Sequence, residues 1–332
     1  MSEELVLATL RRAGWGDEIH LRPIGVTGNN HVLLAQARDR TFLVKQYFQH
    51  PDDPRNRFET ERAFYTFLGD ADVRAVPEPV AWYPEERLAL LEYVRGEKPT
   101  VATPELVQEA LGFLIEINRR RDTSSANPLP LASEACFSVA EHLATVDRRI
   151  ERLRKIVPES ARHEGAIAFV QERLAPTWMA LRRETEGAMA EKDRTLAQSE
   201  RCISPSDFGF HNTIRSADGR LRFFDFEYAG WDDPAKTVCD FFCQPAVPVP
   251  NEWLPAFLDN IRGAFGTDDL AKRVALLRPV YQTKWCCIML NDFLPAANFG
   301  ARQVVVIPSR ANVLRVNTRP TRLSGKHTAS RV

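Results

Sequence analysis

Residues 202–242 read CISPSDFGFHNTIRSADGRLRFFDFEYAGWDDPAKTVCDFF, and this stretch decides the fold. Asp207 is followed five positions on by Asn212, and thirteen beyond that by Asp225. Ala217-Asp218-Gly219-Arg220 is a turn sequence, and the apolar residues 221–224 form a strand that delivers Asp225-Phe226-Glu227. A hairpin between Asn212 and Asp225 would therefore bring an aspartate, an amide and a second aspartate to one point. Phosphoryl transfer needs that set. One carboxylate orients a hydroxyl and takes its proton, while a carboxylate and an amide hold Mg2+ against nucleotide phosphates. The D-x-x-x-x-N spacing matches a kinase catalytic loop. Asp-Phe-Gly alone is ordinary turn chemistry; Asn212 and Asp225 beside it give Asp207 a functional reading.

Upstream of this stretch the pattern is mostly strand. Residues 31–37 and 41–48 flank Arg38-Asp39-Arg40 and read as a hairpin, preceded by a short helix over 2–13. A helix over 55–68 carries Phe58, Phe64, Phe67 and Leu68, and Pro77 and Pro79 end it before two further strands at 80–83 and 88–93. From Pro104 the chain turns helical, with helices expected over 105–118, 134–157, 164–191, 235–242, 253–265 and 269–292. The expected fold class is α+β: a small antiparallel sheet with one inserted helix, then a larger helical body. Lys45 ends the apolar strand Phe42-Leu43-Val44, and the helix after it offers Glu59 and Glu61. Two helical residues point about 200° apart, so only one of the two can face Lys45.

Asp207-Phe208-Gly209-Phe210-His211-Asn212, followed by Asp225-Phe226-Glu227 and Trp231-Asp232-Asp233-Pro234, resembles the signature of aminoglycoside phosphotransferases and their relatives, among them choline, homoserine and other small-molecule kinases. The resemblance spans residues 20–295 and implies a protein-kinase-like bilobal fold. It implies Asp207 as catalytic base, Asn212 and Asp225 as ligands of Mg2+, and ATP or GTP as phosphoryl donor. It implies that Lys45 holds donor phosphates and that Glu61, rather than Glu59, pairs with it. Gly25-Val26-Thr27-Gly28-Asn29-Asn30 resembles the loop that covers the phosphates, with Gly25, Gly28, Asn29 and Asn30 as its contacts. Leu91-Glu92-Tyr93-Val94 and Gly96 resemble the hinge, where Glu92, Tyr93 and Val94 would meet the base through backbone groups. In the family, the acid matching Asp240 braces the catalytic loop. Glu227 sits near the metal site and is assigned no ligand role. One departure stands out: Pro205 occupies the position, two before the catalytic aspartate, where kinase-like loops carry a histidine.

These expectations divide the chain into a lobe at 1–95, a lobe at 96–300 and a basic tail at 301–332. The tail is read as disordered; from Phe293 to Val332 the sequence holds no Asp or Glu. Lys and Arg total 44 and Asp and Glu total 44, so no net field recruits nucleic acid or an anionic membrane. No apolar run reaches membrane-spanning length, and Met1-Ser2-Glu3-Glu4 lacks the basic start of a leader, which points to the cytoplasm. Six cysteines fall in no CxxC pair and read as buried thiols. The expected partner is a small-molecule hydroxyl acceptor: a sugar, an aminoglycoside or an amino alcohol. The alternative is a nucleotide-binding pseudokinase with a regulatory or scaffold role. His211, Tyr281 and Trp285 are read as structural, Asp292 as a solvated helix end, and Trp231 as either core or pocket.

Overall fold

The structure, a computed structural model, describes residues 3–24, 30–49, 53–188, 194–266 and 269–294. The basic tail, and Gly25, Gly28 and Asn29 of the glycine loop, lie outside them. Five strands make the first sheet: β1 Ile19–Pro23, β2 His31–Ala37, β3 Arg40–Gln46, β4 Pro79–Tyr83 and β5 Leu88–Glu92. All pair antiparallel in the order β1-β2-β3-β5-β4. The period of two sorts their side chains. Leu33, Val44 and Leu90 stand side by side in register, and with Ala35 and Phe42 they bury one face under helix α1 Glu3–Arg12, through Val6 and Leu10. Val32, Lys45 and Ala89 share the other face with Leu43 and Leu91. That alternation turns Lys45 inward although the strand bearing it is apolar.

Helix α2, Arg57–Asp70, crosses the second face. Asn56 caps it by accepting from Glu59 N at 3.3 Å. Phe58, Glu61, Phe64, Tyr65, Phe67 and Leu68 form its buried side. The larger body opens with a two-residue strand, β6 Gly96–Glu97, then α3 Pro104–Asn118 and α4 Val139–Leu153. The start of α4 differs from expectation. Ser138 caps it and Glu141 bonds back to the Ser138 N–H, a capping box that fixes the first turn there. Glu134, expected inside the helix, lies before it with φ of 54°.

The helix expected over 164–191 is α5 Ala161–Phe169 and α6 Ala175–Gly187, joined without a break by a π-helical turn at Val170–Leu174. Pro176 lies in the first turn of α6. It has no N–H to donate, and its ring would crowd the carbonyl four residues earlier, within the wider turn. Next come β7 Cys202–Ser204, β8 Thr213–Ser216, β9 Leu221–Phe223 and β10 Gly230–Asp232. The strands β6, β8 and β9 make a three-stranded sheet, and β10 pairs with β7. Trp231, opposite Ile203, is part of the core. Helices α7 Pro234–Cys243, α8 Leu254–Phe265 and α9 Leu270–Met289 complete the body, with α9 against α4 and α7. The six cysteines are unpaired; Cys243 and Cys286 are half-buried and the rest buried. Among the described residues no helix is long and apolar enough to cross a membrane.

Candidate active site

The loop after β7 is set from behind. Asn118, at the end of α3, is buried among apolar neighbours and bonds strand β7 on both sides. Its Nδ2 donates to Ile203 O at 2.9 Å, and its Oδ1 accepts from Ile203 N at 2.9 Å. Ser206 follows in the left-handed region, φ 67°, with its N–H on Ser204 Oγ at 3.0 Å. A non-glycine residue seldom adopts that conformation unless its surroundings impose it. The turn presents Asp207. Asn212 Nδ2 donates to Asp207 O at 2.9 Å and to its Oδ2 at 3.3 Å, while His211 Nε2 lies 3.2 Å from Oδ1. Burial works against the carboxylate, but the charge and hydrogen bond of His211 and the bond from Asn212 hold its pKa below the ordinary range. Asp207 is thus ionised at neutral pH and able to take a proton.

The β8–β9 hairpin carries the chain to Asp225, the second left-handed residue of the site, φ 69°. Phe224 N donates to Asn212 O at 3.1 Å, which ties Asp225 to the far end of the Asp207 loop. Phe226 turns into the core against Phe64, Tyr65 and Phe113. Lys45 Nζ meets Glu61 Oε2 at 2.6 Å, Asp225 Oδ1 at 2.5 Å and Glu227 Oε2 at 3.6 Å. Glu61 also accepts from Phe226 N at 3.1 Å, so one buried carboxylate holds both the lysine and the backbone beside Asp225. Glu59 faces outward and pairs with Arg62 at 2.6 Å. Burial opposes the charge on Lys45, yet Asp225, Glu61 and Glu227 raise its pKa well above the usual lysine value.

Two cavities meet at Asp207. The first, about 400 Å³, lies between the sheet and the helical body. Val32, Leu43 and Leu91 form its apolar side and Lys45, Asn212 and Asp225 its polar end. Glu92, Tyr93 and Val94 line it. The Glu92 N–H already donates to Glu78 O at 2.8 Å, which leaves Tyr93 and Val94 as the backbone donors of that stretch. Asn30 also lines this cavity; its Oδ1 accepts from Phe48 N at 3.0 Å and its Nδ2 donates to Glu227. The second cavity, about 800 Å³, continues past Asp207 toward α4 and α9. Asp207, Glu227, Tyr228 and Trp285 line both.

The sequence pattern of the phosphotransferase enzyme family matches residues 20–276. The chain belongs to that family. No curated protein matches it. Solved structures share its fold at low identity. A choline kinase from Cryptosporidium parvum superposes with a TM-score of 0.60 at 12% identity, over 88% of this chain and 90% of that one. A choline kinase from Streptococcus pneumoniae gives 0.57 at 16% identity, over 90% and 93%. A spectinomycin phosphotransferase, solved with ADP and spectinomycin, gives 0.59 at 12% identity, over 89% of each chain. The protein is a phosphotransferase with the bilobal, protein-kinase-like fold of these kinases.

Several residues of this phosphotransferase sit elsewhere than the sequence suggests. Trp285, read as structural, lies at the junction of the cavities, and its Nε1 donates to Asp240 Oδ1 at 3.1 Å. Asp240 accepts from Lys284 at 3.0 Å and from Trp285, tying α7 to α9 rather than to the Asp207 loop. His211 touches Asp207 and lines the first cavity. Glu227 belongs to a carboxylate group with Glu61 and Asp225 whose oxygens lie within 4.8 Å of one another. Lys98, not singled out before, lines the first cavity and donates to His211 O at 3.2 Å. Asp292 is exposed, as expected, and Tyr281 is buried against His142 at 2.8 Å.

Proposed function

We propose that the protein transfers the γ-phosphoryl group of ATP or GTP to a hydroxyl of a small molecule, with Asp207 as base. The observation that carries this is that Asp207, an ionised carboxylate, lines both an apolar slot and a more polar chamber. The slot suits a nucleotide base between Val32, Leu43 and Leu91, next to the backbone of Tyr93 and Val94. Lys45, clamped by Glu61, reaches the phosphate end. The acceptor enters from the second cavity and meets Asp207, which takes its proton as its oxygen bonds the γ-phosphorus and the bond to the nucleoside diphosphate breaks. Most of the rate then comes from alignment and fixed charge. The division into a small lobe up to residue 95 and a larger one from 96 belongs to the same reading.

The donor set fits Mg2+. Asn212 commits its Nδ2 to Asp207, so its Oδ1 is the atom left for an ion, and Asp225, about one-third exposed, faces the slot. Hard oxygen donors of this kind suit magnesium. Bound there, the ion would supply positive charge to the nucleotide phosphates. The pseudokinase alternative drew on Pro205, and Asn118 now offers the loop a support that does not use the missing histidine. The test is calorimetry with Mg-ATP and Mg-GTP, then incubation with a mixed metabolite pool and mass spectrometry of the products. Micromolar to millimolar metal-dependent binding and a phosphorylated product are expected. Binding without any product would favour the pseudokinase, and no nucleotide binding would remove both readings.

A further inference from the structure

Lys45, Lys98 and Arg222 are the lysine and arginine side chains that line the slot, and two of them are already committed. Lys45 is outnumbered by Glu61, Asp225 and Glu227, at 2.6, 2.5 and 3.6 Å from its Nζ. Arg222 donates to Arg74 O and lies 3.7 Å from Asp218. Lys98 differs. No carboxylate oxygen comes within 4.0 Å of its Nζ among the described residues. Its hydrogen bond there is to His211 O at 3.2 Å. An ammonium has three N–H donors, so two are left over.

Backbone pairing sets where this ammonium stands. β6 lies against β8 with Gly96 opposite Ser216 and Glu97 opposite Arg215. The strands approach so closely that a Cβ at residue 96 would run into Arg215 O, so glycine is required there. Lys98 comes directly after Glu97, and its side chain lies along the slot rather than away from it. Its Nζ sits 5.3 Å from the centre of the Phe224 ring, which holds a cation without neutralising it. The two groups that seat the ammonium are neighbours of the proposed metal ligands. His211 directly precedes Asn212, and Phe224 directly precedes Asp225. The Phe224 N–H on Asn212 O at 3.1 Å ties the two segments together.

Resting on the nucleotide slot proposed above, we infer that Lys98 is a second phosphate contact of the donor, reached from the segment after the hinge rather than from the sheet. Its two remaining N–H groups would take phosphate oxygens beside Asn212 and Asp225. Net charge does not carry this, because Glu61, Glu92, Asp207, Asp225 and Glu227 also line the slot. What singles out Lys98 is a charge with no carboxylate on it, held at the end of the slot where the phosphates are proposed to lie. Lys45 would keep its place through Glu61, and Lys98 would add the contact that responds to the ligand.

The test is calorimetry on the full chain with Mg-ADP and with adenosine, or with Mg-GDP and guanosine if the guanine nucleotide is the one bound. Lys98→Met keeps an unbranched stem over Phe224 and removes the charge. It should weaken Mg-ADP about tenfold, the loss of one charged hydrogen bond, and leave adenosine unaffected. The ratio of the two affinities is read within each protein, so a general effect of the substitution on folding cancels. A ratio unchanged by Lys98→Met overturns the inference, whether neither ligand responds or both weaken alike; the second result would make Lys98 a ribose or base contact. Where adenosine binds too weakly to follow, the salt dependence of Mg-ADP binding decides. It should be shallower in Lys98→Met than in wild type, because a screened contact has been removed, and equal dependence overturns the inference. In either case the phosphotransferase reading survives. Wild type that binds no Mg-nucleotide would fail at that earlier reading, and this inference would fall with it.

Discussion

Asp207 and Asp225 line the same slot; in the proposed reaction they would meet different ligands, and substitution should separate them. If Asp207 is the base proposed above, Asp207→Asn removes the proton acceptor without touching Lys45, so turnover should fall by about 10²–10⁴-fold while Mg-nucleotide affinity holds. Asp225→Asn should weaken Mg-nucleotide binding itself, because that carboxylate sits on Lys45 at 2.5 Å and is proposed to face the metal. Calorimetry and steady-state rates on both variants check the split; full activity of Asp207→Asn on an identified acceptor would remove it as base. That Asp207, Asn212 and Asp225 come together at one cavity was legible because their spacing is local: five residues, then a hairpin. The wall of the second cavity was not. Arg55, Arg149 and Arg152 come from segments nearly a hundred residues apart, and each is an ordinary surface-type arginine until tertiary packing brings them to one wall. Glu227 and Trp285 were visible as residues but not as cavity lining, since neither apolar period nor motif says which way a junction residue turns.

Among the elements, the cap of α7 carries a measurable pH dependence. Asp233 starts that helix, accepting from Ala235 N at 2.7 Å, and also meets His142 of α4 at 3.0 Å and Arg273 of α9 at 2.6 Å. One carboxylate thereby ties three helices. Burial disfavours the charged imidazole, but the hydrogen bonds to Asp233 and Cys136 and the Asp233 charge raise the pKa of His142 to about 9. Its folded value exceeds its unfolded one, so the stability it contributes is complete below about pH 6.5 and is lost as pH rises through about 9. The contribution is on the order of 3 kcal/mol. Urea unfolding of wild type and His142→Gln should differ most near pH 6 and converge above pH 9.5 or so; a gap that does not change with pH would contradict the ion pair. At this scale the β2–β3 hairpin, α2 and α3 could be read from period and caps alone. The start of α4 could not, because the run from Glu134 is helical in composition and only the Ser138–Glu141 box sets its first turn. Nor does any apolar repeat announce the π turn before Pro176.

Over the whole molecule, one apolar core runs from the sheet to the helical body. Phe64 and Tyr65 of α2 touch Phe226, Phe226 stacks on Phe113 of α3, and Phe113 stacks on Phe223 with ring centroids 4.3 Å apart. With the core continuous across the site, the described parts should unfold as one cooperative unit. The cysteines offer a direct reading of that event. Burial pushes the thiols of Cys202 and Cys239 far up, those of Cys243 and Cys287 to about 12, and that of Cys286 upward as well. Only the thiolate attacks a disulfide reagent, and a thiol of pKa 12 is ionised to roughly one part in 10⁴ at pH 8. An aromatic disulfide dye should therefore leave the native protein almost colourless and release its chromophore in a single phase on denaturation; a fast burst of several equivalents from native protein would contradict this core. The six sulfurs then act as an internal clock. The slow drift of colour at rest counts each excursion in which the molecule opens, and any ligand that closes the slot should slow the ticking.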